Sequence, residues 1–210
     1  MRRHLSFAVV TVFTLMGLSV LLAQSPAGWR VRADASTNAS DPDQAGAIKF
    51  VTMGTGFHAT NPIAAVYWNP ANTAKGPYTV KGTFTLNEPS GHNNYYGLVF
   101  GGSGLEGPDQ AYLYFLVAQD GSFLVKRRAG DAVTDNVVAK TPHAAIRKPD
   151  ATGKSTNVLE VRVQADKVDY VINGTVVGST PKAGLTTDGI WGIRVNHLLN
   201  VTVEDIGLAK

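Results

Sequence analysis

After residue 46 the chain never sustains a helical period. Short β-branched and aromatic runs recur instead, each bounded by Gly, Pro, Asn or Asp. This spacing predicts strands at Ile48–Met53, Ile63–Trp68, Tyr78–Leu86, Tyr96–Gly101, Ala111–Ala118, Phe123–Arg128, Val158–Gln164, Val168–Ile172, Thr175–Gly178, Ile190–Val195 and Val201–Ile206. Ala144–Arg147 makes one helical turn at most. About eleven strands without helices fold as an all-β sandwich of two sheets or as a barrel. Sparse charge and frequent Gly and Pro suit such a turn-rich domain, and the length suffices for one domain with a real core.

Two hairpins can be registered. Asn173-Gly174 in YVINGTVVG suits a two-residue type I′ turn, in which both positions need positive φ. AYLYFLVAQDGSFLVKRR, Ala111 to Arg128, admits two registers. A two-residue Asp-Gly turn mixes charge and bulk on both faces. A three-residue Gln119-Asp120-Gly121 loop, with Gly121 left-handed in a bulge, separates them. Leu113, Phe115 and Val117 then share a dry face with Phe123 and Val125, while Tyr112 and Tyr114 oppose Arg128 and Lys126 on the other. A one-residue slip exchanges the faces, so burial selects the bulged register. Alternation in GIWGIRVNH likewise sends Trp191, Ile193 and Val195 to the core and Arg194 and Asn196 to the opposite face.

The N-terminus reads as an export segment: basic Arg2, Arg3 and His4, then an uncharged apolar run from Leu5 to Ala23. Residues 1–23 are read as a signal peptide, cleaved near Ala23 or as late as Ala27, with an uncleaved anchor as the alternative. Residues 24–46 form an extension rich in Ala, Ser, Asp and Asn with a short strand at Trp29–Ala33, and residues 47–210 form the sandwich. Without residues 1–23 the chain carries 17 Lys and Arg against 16 Asp and Glu. No basic stripe for nucleic acid survives. There is no cysteine, hence neither a disulfide framework nor a lipoprotein anchor. A secreted or periplasmic, envelope location follows. The sequons at Asn38, Asn173 and Asn200 are read as chance matches in an Asn- and Thr-rich chain.

NVLEVRVQADKVDYVINGTVVGS, followed by DGIWGIRV and NVTVEDI, resembles the closing strands of concanavalin A-like jelly rolls. YYGLVFGGSG through YLYFLVAQDGSFLVKRRAG resembles their middle strands. Laminin G-like, family 16 glycoside hydrolase and 3-keto-disaccharide hydrolase-like domains share this layout. The resemblance implies a jelly roll over residues 47–208, with glycans on a concave sheet and, in some members, calcium at the rim. It brings no catalytic set. The family 16 motif Glu-x-Asp-x-x-Glu is absent, and adjacent Glu204 and Asp205 point to opposite faces of a strand. His58, His92, His143 and His197 lack zinc-ligand spacing and read as surface or turn residues. GGSGLEG at 101–107 reads as a flexible loop at a sheet end.

The tyrosine and cation face is therefore the candidate site. Aromatic rings cover the apolar faces of a sugar, and charged and amide groups bond its hydroxyls. Tyr112, Tyr114, Lys126, Arg128 and Arg194 supply these parts, with Asn94, Tyr96 and His92 at the rim and Asp109 as a hydroxyl acceptor or calcium ligand. As an accessible ring, Tyr114 should contribute more to binding than to stability. The expected function is non-catalytic glycan binding, with no cofactor beyond a possible calcium. A carbohydrate-active hydrolase and an envelope structural or adhesion protein are the alternatives.

Overall fold

The structure, a computed structural model, describes residues 25–34, 43–131 and 133–209. The export segment and the Asn38 sequon lie outside the described residues. Fourteen strands follow one another: β1 Arg30–Ala33, β2 Lys49–Met53, β3 Gly56–Asn61, β4 Ala65–Ala74, β5 Tyr78–Glu88, β6 Tyr95–Ser103, β7 Ala111–Ala118, β8 Ser122–Ala129, β9 Val133–Pro142, β10 Ser155–Val163, β11 Lys167–Ile172, β12 Thr175–Pro181, β13 Gly189–Val195 and β14 Leu199–Leu208. They build a sandwich of two antiparallel seven-stranded sheets. One runs β1-β4-β13-β6-β7-β8-β9 and the other β12-β11-β10-β5-β14-β3-β2.

The β7–β8 hairpin takes the bulged register. Phe115 pairs with Val125, Tyr114 with Lys126 and Tyr112 with Arg128. Gly121 has φ 83°, and its N–H donates to the Ala118 carbonyl at 3.1 Å. Asp120 fixes the turn by accepting from the Ser122 N–H at 2.9 Å and pairing with Lys140 of β9 at 2.6 Å. At the β11–β12 turn, Asn173 and Gly174 have φ of 50° and 83°, as a type I′ turn requires.

Alternation along the strands fills the space between the sheets. Tyr67, Phe84, Tyr96, Phe100, Phe115, Phe123, Tyr170 and Trp191 meet there with the aliphatic residues of the same parity. Trp29, just ahead of β1, stacks on Phe57 and Phe50 with ring centroids 4.5 and 5.9 Å apart. It thereby packs, partly buried, against the core.

The first sheet also carries a second apolar layer on its outer face. Val66, Trp68, Val99, Leu105, Tyr112, Tyr114, Leu116 and Leu124 are all buried there. This corrects three readings. Tyr114 is only 6% exposed, so its ring is a packing element of the fold rather than an accessible platform. The glycine-rich stretch is no free loop, because Gly101–Ser103 extend β6 and Leu105 inserts into the outer layer. Tyr96 has the parity of Leu98 and Phe100 and lies in the inter-sheet core, beside Phe84 and not at a rim.

Two strands escaped the sequence reading. β9 is an edge strand exposed on both faces, so its residues show no alternation. β3, Gly-Phe-His-Ala-Thr-Asn, buries the small Ala59 and the polar Asn61 rather than large apolar residues.

Candidate ligand-binding site

The outer face of the first sheet holds a cavity of about 440 Å³, a size typical of small-ligand sites. Its walls come from four adjacent strands. Tyr114 and Leu116 project from β7, Leu124 and Lys126 from β8, and Arg194 from β13, with Asn196 just beyond that strand. Tyr95 of β6 and the preceding Asn93 and Asn94 form the remaining wall. The opening has a cause in the register. One row across the sheet reads Arg194, Gly97, Leu116, Leu124. Gly97 thus leaves the sheet without a side chain between Arg194 and Leu116. A Cβ at Gly97 would lie 2.4 Å from the Phe115 carbonyl oxygen and 2.9 Å from Leu159 Cδ2 of the other sheet, so the neighbouring backbone and the core packing together exclude a larger residue.

Below one end of the cavity lies a buried charge cluster. The Asp34 carboxylate accepts from Arg194 Nη1 and pairs with Arg128 Nη2 at 2.9 Å. Arg194 Nη1 also donates to the Tyr112 hydroxyl at 2.9 Å, and its Nε to Asn196 Oδ1 at 3.2 Å. The guanidinium carbon stands 5.3 Å from the centre of the Tyr114 ring, within cation–π range. Arg128 is further held by the carbonyls of Gly130 and Asp131, each at 2.8 Å. Asp131 in turn accepts from Arg32 at 2.6 Å. Burial opposes the charge of Arg194, but Tyr112, Asp34 and Tyr114 outweigh it and hold the guanidinium protonated.

The other wall is fixed by amides. Gln119 clamps Ser90 through both backbone groups, at 3.1 and 3.0 Å, and the Asp120 N–H donates to Asn93 Oδ1 at 3.3 Å. Asn94 Nδ2 donates to the His197 carbonyl at 2.7 Å and lies 3.0 Å from His92 Nε2. The two imidazole Nε2 atoms of His92 and His197 are 2.9 Å apart. His197, read from sequence as a surface or turn histidine, occupies the β13–β14 turn but is only 1% exposed. Among the described residues, no three His, Cys, Asp or Glu side chains gather as a metal site.

The structure thus brings Tyr114, Lys126, Arg194 and Asn94 to one cavity. Tyr112 and Arg128 lie beside it in the charge cluster. Tyr96 points away into the core, and Asp109 is exposed on the β6–β7 loop, apart from the cavity. The reading missed Tyr95, Asn93 and Asp34. Tyr96 shares the parity of Leu98 and Phe100 and Tyr95 that of Gly97 and Val99, but both sets are apolar, so parity alone does not choose between the two tyrosines. Asp34 meets Arg194 across 160 residues of sequence, and nothing local announces that contact.

The buried phenols make a testable statement. Burial pushes Tyr114 and Tyr170 up to about 12 and holds Tyr112 and Tyr96 above the ordinary 10. Arg194 opposes the shift at Tyr112 and Tyr114 but does not cancel it. The folded state thus keeps protons that the unfolded chain releases near pH 10. The stability from these groups is full below pH 10 and falls as pH rises towards about 12. Urea midpoints should therefore drop steeply above pH 10, before the phenolate absorbance of the native protein has fully developed.

No family model matches the chain, and neither does any curated protein. Solved structures do. The carbohydrate-binding module CBM66 from Bacillus subtilis superposes with a TM-score of 0.61 at 11% identity, over 87% of this chain and 96% of that one. A family 16 protein of the Bacteroides ovatus mixed-linkage glucan locus, in complex with its G4G4G3G product, gives 0.58 at 9% identity, over 90% and 97%. The carbohydrate recognition domain of Emp46p gives 0.54 at 13%, over 86% and 87%. The chain has the concanavalin A-like jelly-roll fold.

Proposed function

We propose that the protein is a non-catalytic glycan-binding module acting outside the cytoplasm, in the secreted or periplasmic space. The observation that carries this is the cavity on the outer face of the first sheet. It sets the half-buried ring of Tyr95 beside amides of Asn93, Asn94 and Asn196 and the polar end of Lys126. That combination matches a sugar, whose C–H face needs a ring and whose hydroxyl edge needs paired donors and acceptors. The structurally similar proteins named above carry carbohydrate-binding or glucan-related names, which favours the same ligand class. Binding without hydrolysis is favoured because no carboxylate among the described residues lines the cavity, whereas a glycosidase needs two facing one bond. The basic start followed by an apolar run supports export.

A glycan array followed by calorimetry tests the reading. Tyr95→Ala is expected to weaken binding of any retained glycan by about 1–2 kcal/mol, a typical loss for a covered aromatic contact, with little change in melting temperature. Equal binding in calcium and in chelator is expected. Failure of the parent protein to retain any glycan would overturn the proposal.

A further inference from the structure

The cavity carries a charge that the protein does not answer. Asp34 is one carboxylate shared by two guanidinium groups, those of Arg128 and Arg194. Asp131, the next carboxylate along the face, accepts from Arg32. Lys126 adds a third cation in the cavity wall, and no carboxylate among the described residues lies in ion-pair range of it. Three cations against one carboxylate leave an excess of two positive charges here. Outside residues 1–23 the chain is close to neutral, with 17 basic against 16 acidic side chains. The excess is therefore concentrated at this place and not a reflection of composition.

Such an excess is unfavourable in the empty protein. Arg194 is buried and Lys126 is half-buried, so water screens them less than it would on an open surface. A neutral sugar would displace water from these groups without supplying a counter-charge. A sugar bearing a carboxylate or a sulfate would supply one, and the amides of Asn93 and Asn196 would bond the hydroxyls flanking it. Lys126 is suited to this task, because an ammonium on a flexible stem adapts to a single anionic oxygen.

We infer that the cavity selects an anionic sugar unit, with Lys126 as the residue that sets the preference. The inference rests on the glycan-binding reading above and narrows its ligand class.

The test uses the full chain and three probes: an oligogalacturonate, the same oligosaccharide reduced at its carboxyl groups, and a sulfated oligogalactan. Calorimetric titrations are run at low and at high salt beside a panel of neutral glycans. An anionic probe should bind about tenfold more tightly than the reduced one at low salt, the size of one charge-assisted hydrogen bond, and salt should shrink the difference. Carboxylate and sulfate are told apart by which probe wins. Lys126→Met should bring the two affinities to within about threefold, and Lys126→Arg should keep most of the preference, both with unchanged melting temperature. Equal or tighter binding of the reduced probe, or of another neutral glycan, would overturn the charge preference and leave the glycan reading standing. Binding of nothing in the panel would overturn both.

Discussion

Replacing Asp34 by Ala should lower the stability of the domain by about 3–5 kcal/mol, the usual cost of stranding a buried charge. Asp34 is 7% exposed and Arg194 is 9% exposed, so neither can turn to water when its partner is removed. Arg194 would keep Tyr112 and Asn196 but lose its only anion among the described residues. The loss comes from the charge left behind and not from the worth of the pair, so the double variant is diagnostic. Asp34→Leu with Arg194→Met should cost clearly less than the two single losses together, because only the less buried Arg128 then lacks its carboxylate. Denaturant melts of the three variants measure the coupling. Additive losses would show that the pair does not act as one unit.

Phe115→Ala should produce a second loss of about 3–5 kcal/mol, by a different route. The side chain is fully buried between the sheets, with ring centroids 5.3 Å from Tyr170 and 6.0 Å from Phe123. Tyr170 belongs to the opposite sheet, so the void would open across the sandwich and not within one hairpin. Neighbouring Tyr114 is buried on the outer face, and Tyr114→Ala should also destabilise, on the order of 2 kcal/mol for the apolar area returned to water. Melting curves of the two variants decide the matter. A mild effect at Phe115 beside unfolding at Tyr114 would mean the inverse assignment of faces.

The β7–β8 hairpin was legible because one of its two registers mixed charge with bulk on both faces, and burial tolerates only the other. The Asn173-Gly174 turn was legible for a local reason, since few dipeptides accept positive φ twice. The face of β6 was not. Gly97 and Val99 on one side, and Leu98 and Phe100 on the other, give a strand that is apolar throughout, because both faces of the first sheet are covered. Alternation then carries no information, and Tyr96 was chosen where Tyr95 faces the cavity. The charge cluster was half legible. Tyr112, Arg128 and Arg194 could be placed on one face by parity, but their anion sits in the extension, on a residue that looks like any other Asp in a polar run.

The order of strands sets a timetable for folding. β13 lies between β4 and β6, and β14 lies between β5 and β3. Each sheet therefore has its gap filled by one of the two strands that come after all the others among the described residues. Until residues 189–208 have been synthesised, β4 and β5 lack a neighbour and both sheets stay divided. Pairings this distant in sequence close slowly. One short stretch, residues 189–208, is consequently what makes each of the two sheets continuous.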